Sequence, residues 1–177
     1  MSPIPFSCDL DVDTNTTLKM YLFKDVQNVT DIRNNIVKGL WNCAAVKPSL
    51  ILDKFQVAVA ANRAVLAEKT KTMVTRTVYA EILYNLSLTK NISQSLSKFG
   101  IEKENNLLVC FLVTPEQDDT EEIVKQIKGE MCPISELDKF TNMKELKTVY
   151  KLNSLKSNVD LLDIIVSRIV TKNFVSY

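Results

Sequence analysis

The chain has 177 residues, 46% hydrophobic and 24% charged, which is enough for one sizeable core and too little for two ordinary domains. Lysine plus arginine (22) nearly matches aspartate plus glutamate (21), so no global field draws the chain toward nucleic acid or an anionic membrane, and any such surface must be a local patch. With no histidine and only 3 glycines, the commonest proton-transfer side chain is missing and a glycine-rich phosphate cradle is excluded.

Residues 1–15 are polar and are expected to fray, leaving 16–177 as the folded domain; they lack the basic and apolar regions of a signal peptide. Leu18, Met20 and Leu22 alternate with Lys19, Tyr21 and Phe23, a strand pattern. Thr30 and Asp31 open a short helix that stops near Gly39, and Ser49–Leu52 reads as a second strand. Asp53, with Gln56 three residues on, is a capping-box variant for a helix that places Phe55, Val59 and Leu66 on one face. A break over Lys69–Val74 precedes a second helix, with Val78, Tyr79, Ile82, Leu83 and Leu86 at helical spacing. The bases Lys69, Lys71 and Arg76 then surround a helix start, where the partial positive charge makes them costly unless an anionic partner or solvent meets them.

Asn91 begins a third helix, with Ile92, Leu96 and Phe99 as its buried stripe and Gly100 as its stop. Leu107–Val113 is an apolar run without alternation, so it predicts a strand covered on both faces. It is the longest apolar run, far short of the roughly 20 residues a membrane span needs. Asp119 and Glu122 can cap a helix to about Lys128, Glu130–Pro133 reads as a short strand, and Asn142–Lys151 and Val159–Val170 read as helices. The expected fold is α/β of the α+β kind: one domain, with a small mixed sheet packed with several helices.

Cys8, Cys43, Cys110 and Cys132 form no CxxC pair, and a structural zinc site would need all four from distant positions, so no metal is expected and the thiols are read as free. GxGxxG and GxxxxGK[ST] are both missing, which leaves no nucleotide cofactor to expect. Without histidine, Ser-His-Asp and Cys-His chemistry is excluded, and only a lysine, a carboxylate or Cys132 remains for an enzyme. Charge is uneven: Arg63–Lys98 holds six bases against two acids, and Pro115–Asp138 eight acids against two bases. The basic block is either a phosphate-binding face, with hydroxyls from Thr72, Thr75 and Thr77, or an ordinary solvated surface. Tyr79 and Tyr84 either stack a base or belong to the core. The last helix is apolar over a wide arc, so it needs cover on more than one side, from its own domain or from a partner.

The runs LFKDVQNVTDIR, DKFQVAVAANRAV, TRTVYAEILYNLSLTKNISQSLSKFGI, YKLNS and LLDIIVSRIVTK, between about Tyr21 and Lys172, resemble the kinase-binding subunits of the KEOPS/EKC complex. The most specific stretches are Asn62-Arg63-Ala64, Thr75-Arg76-Thr77, Glu81-Ile82 and Phe99-Gly100-Ile101, in that order. The resemblance implies a non-catalytic subunit that binds and regulates an atypical kinase/ATPase of the PRPK type. That kinase docks on the threonylcarbamoyl-transferase subunit, and a further small subunit mediates dimerisation. Family members also bind the single-stranded 3′ end of tRNA and so help recruit ANN-decoding tRNAs for threonylcarbamoyladenosine modification. On this basis Lys69, Lys71, Thr75, Arg76, Thr77 and Lys98 are the expected tRNA-binding residues, and Leu161, Leu162, Ile165 and Ile169 the expected kinase interface. The cytoplasm and nucleus are the expected locations. The alternative is a module that regulates the kinase without touching RNA.

Overall fold

The computed structural model describes residues 3–156 and 158–177. Its sheet has strands β1 (Phe6–Asp9), β2 (Thr17–Lys24), β3 (Ala44–Val46), β4 (Leu107–Val113) and β5 (Glu130–Cys132). The order is β1-β2-β4-β3, β5 also pairs with β2, and all of these pairings are antiparallel. The central pair runs in register from Thr17 opposite Val113 to Phe23 opposite Leu107.

Because side chains alternate across a strand, β4 feeds two cores. Leu108 and Cys110 join Leu18, Met20 and Leu22 on one face, while Leu107, Val109 and Phe111 join Phe23, Ile32 and Trp41 on the other. That two-sided burial is why the run shows no polar alternation. Helix α1 (Val29–Val37) and the short α5 (Thr120–Val124) cover the second face, through Ile32 and Ile123. The first is covered by α2 (Lys54–Thr70), α3 (Val78–Leu86), α4 (Ile92–Phe99), α6 (Met143–Val149) and α7 (Leu161–Thr171). Full burial of each core Leu, Ile or Val contributes roughly 1.5–3 kcal/mol.

Five expectations are corrected. The α+β domain is as expected, but its sheet is antiparallel throughout and not mixed. The N-terminal segment expected to fray supplies the edge strand β1, held to β2 from Phe6 opposite Met20 to Asp9 opposite Thr17. Ser49–Leu52 is not a strand: Pro48 opens a 3-10 turn over Pro48–Leu50, as its fixed φ favours, and the strand is the preceding Ala44–Val46. The buried face of α2 is Val57, Ala60, Ala61, Ala64 and Val65, whereas Phe55 is 54% exposed. Alanines turn inward there because α3 lies close, with the Asn85 amide donating to the Ala60 carbonyl at 3.1 Å. The helix expected to reach Lys128 ends at Val124.

Candidate functional site

The turn between α2 and α3 carries most of the residues expected to meet RNA. Helix α2 closes at Lys71, whose φ of 56° lies in the left-handed region. The Lys71 and Thr72 N–H groups both return to the Ala67 carbonyl, a Schellman-like end. Lys69 and Lys71 therefore sit at a helix C-terminus, where the dipole favours cations. They do not flank the start of α3 at a cost, as the sequence pattern suggested. Lys69 is also engaged, its Nζ donating to the Asp13 carbonyl at 2.9 Å.

The hydroxyls are committed as well. Thr77 caps α3, its Oγ1 accepting from the Ala80 N–H at 3.1 Å. Thr75 donates through N–H and hydroxyl to one carboxylate oxygen of Glu81, at 2.8 and 2.6 Å, and Val74 N–H donates to the other at 3.1 Å. Thr72 shares a hydrogen bond with Thr70. Arg76, exposed between two tied residues, is left to face outward. Lys98 lies apart on α4, paired with Glu145 at 3.5 Å. The expected set is thus split: Thr75, Arg76 and Thr77 stand together, Lys69 and Lys71 end the preceding helix, and Lys98 pairs elsewhere.

Thr75, Arg76 and Thr77 line one side of a groove of about 770 Å³ between α1, the entry to β3, α3 and α4. Its walls are mainly apolar, and the large side chains Val37, Val74 and Ile92 are 74%, 50% and 37% exposed on it. Arg33 and Arg76 are its basic lining groups, against Glu102. Sequence reasoning missed this groove. Its signal was present in Val37 and Ile92, apolar residues that periodicity assigned to buried stripes or left unused. Tyr79 reaches the groove but its hydroxyl is tied to the backbone of Leu112, donating to the carbonyl at 3.4 Å and accepting from the N–H at 3.3 Å. Tyr84 is 5% exposed and belongs to the core.

The thiols do not suit nucleophilic work. Burial pushes Cys43, which lines the groove, up to about 12, and holds Cys132 above its ordinary value, so both are neutral at physiological pH.

The C-terminal helix corrects the expected partner surface. Ile165 and Ile169 are 0% and 1% exposed and belong to the chain's own core, because α7 lies along α2. Leu161 and Leu162, at the start of α7, are half-buried. Asp160 caps that start, accepting from the N–H groups of Leu162 and Asp163 at 3.0 and 3.3 Å. At the far end Lys172, 2% exposed, donates to the Tyr84 carbonyl with its ammonium 3.3 Å from the ring centroid.

A family model described as kinase binding protein CGI-121 matches residues 23–173. The chain is 33% identical to the EKC/KEOPS complex subunit TPRKB of Danio rerio, over 93% of this chain and 96% of that protein. It is 30% identical to the EKC/KEOPS complex subunit CGI121 of Yarrowia lipolytica, over 73% of this chain and 76% of that protein. A Schizosaccharomyces pombe subunit, cgi121, is 26% identical over 78% and 83%.

Proposed function

Since the chain belongs to the kinase binding protein CGI-121 family, we propose that it is a non-catalytic subunit of an EKC/KEOPS complex that binds and regulates a PRPK-type atypical kinase/ATPase. It helps recruit the single-stranded 3′ end of ANN-decoding tRNAs for threonylcarbamoyladenosine modification. The threonylcarbamoyl-transferase subunit and the small dimerising subunit are reached through the complex, and the work is done in cytoplasm and nucleus.

The observation that carries the RNA reading is the open, mainly apolar groove, with Thr75-Arg76-Thr77 on one side. Apolar walls accept unstacked bases, and arginines beside them donate to phosphates. The contact is one of placement: phosphates hold the tRNA while the partner enzyme acts. For the kinase, the supporting surface is the exposed side of α7 near Leu161 and Leu162, since Ile165 and Ile169 face inward.

An electrophoretic assay with tRNA, intact or lacking its 3′ tail, tests the RNA reading. The chain binds the intact form more tightly, and the charge reversals Lys71→Glu and Arg76→Glu weaken binding and make its salt dependence shallower. Equal binding of the two tRNAs, or an unchanged salt slope, leaves the alternative: a module that regulates the kinase without RNA contact.

A further inference from the structure

Glu81 is a buried carboxylate, 3% exposed, in the first turn of α3. Among the described residues it forms no ion pair within 4 Å, and the buried Lys172 ammonium acts on it only through space. A carboxylate taken out of water without a cation in contact is tolerated when hydrogen bonds replace its hydration. Here all of that replacement comes from one turn: Val74 N–H at 3.1 Å, Thr75 N–H at 2.8 Å and the Thr75 hydroxyl at 2.6 Å. The helix dipole favours an anion at this position too. The two consecutive amides and the hydroxyl would suit a phosphate, but the chain's own carboxylate already fills the place.

The consequence falls on Arg76. Residues 74 and 75 are tied to Glu81, and Thr77 is tied to Ala80 by its cap. Arg76 is the single residue between these anchors, exposed and lining the groove. We propose that Glu81 is a positioning residue for the groove: its carboxylate fixes the 74–77 turn so that Val74 and Arg76 are preset for a single-stranded nucleic-acid end. The phosphate contact then comes from the Arg76 guanidinium and not from the amides of the turn. This inference rests on the RNA reading of the groove given above.

The test uses the full chain and tRNA with or without its 3′ tail. Arg76→Ala weakens binding of the intact tRNA about tenfold, the scale of one charge-assisted contact. Glu81→Gln keeps the side chain's size but presents an NH2 group to one of the donors, and it weakens tail-dependent binding to a similar degree. The double variant binds no more weakly than Arg76→Ala alone, because both changes remove the same contact. In amide spectra the Glu81→Gln chain loses exchange protection at Val74 and Thr75 while β4 keeps its own. Thr75→Val removes the hydroxyl donor and spares the carboxylate, so a smaller loss in the same direction keeps the idea testable should Glu81→Gln not fold. Tail-dependent affinity unchanged in Glu81→Gln with both amides released, or losses from Glu81→Gln and Arg76→Ala that multiply, overturns the positioning role alone. A wild-type chain indifferent to the tail overturns the groove reading and the role together.

Discussion

Tyr150, at the end of α6, is fully buried, and its hydroxyl joins three elements of the core. It donates to the Leu86 carbonyl at 2.6 Å, at the end of α3, and accepts from the Gln56 amide at 2.8 Å, in the first turn of α2. Tyr150→Phe keeps the ring and its edge contact with Phe99, whose centroid lies 5.9 Å away, but orphans the carbonyl and one amide hydrogen. Gln56 retains the Leu50 carbonyl at 3.2 Å, so its loss is partial. With about 1–3 kcal/mol for each buried group left unpaired, the expected cost is about 3 kcal/mol. In a domain of this size that lowers Tm by roughly 6–12 °C. Urea titration followed by circular dichroism gives the value directly, provided the slope with denaturant is unchanged. A loss below about 1 kcal/mol would refute the view that this hydroxyl sits in a dry, saturated junction.

On α7, Ile165→Ala costs about 2–5 kcal/mol and Ile165→Asp yields no folded monomer, because the side chain is core. Leu162→Asp leaves a folded monomer with weakened co-purification of the kinase, and a folded Ile165→Asp chain would overturn this placement. Burial holds the Lys172 ammonium down at about 8 from its ordinary 10.5, with Glu81 opposing and Arg63 and Lys90 reinforcing. Between about pH 8 and 10 the unfolded chain binds the extra proton, so this lysine's contribution to stability becomes more favourable as pH rises through that window. The stability of wild type minus that of Lys172→Met therefore increases from pH 8 to 10, and a flat difference refutes the shift. The buried thiols and Tyr79, which act in the opposite sense, cancel in that difference.

The elements with strong local signals were legible. Caps at Asp53, Thr77 and Asn91 each form a side-chain hydrogen bond to a backbone N–H, and Thr77 does so without having been anticipated. The β4 run declared its two-sided burial through composition alone. What misled was hydropathy read without tertiary distance. Phe55 looked like core and is exposed, while alanines form the α2 contact because only small side chains let α3 approach. The strand Ala44–Val46 was overlooked for a similar reason, since two alanines carry little strand signal. The candidate site was legible as a motif and not as a surface. Thr75-Arg76-Thr77 stood out, yet that Glu81 holds the first of these residues, and that α1 supplies the opposite wall, depends on contacts no spacing rule encodes.

The outer border of the sheet is divided. Beside β2, β1 takes the half from Thr17 to Met20 and β5 the half from Leu22 to Lys24, so neither makes a long free rail. The opposite border is the three-residue β3, closed off where the Lys47 N–H reaches the Phe99 carbonyl at 2.8 Å, and beyond it β4 from Phe111 to Val113, where the Tyr79 hydroxyl already takes the N–H and carbonyl of Leu112. An incoming β-strand would find at most a few consecutive backbone groups to grip on either side, which guards against edge-to-edge pairing with sheets of neighbouring molecules. A neighbour would meet side chains on helices and turns far more readily than a free backbone ladder.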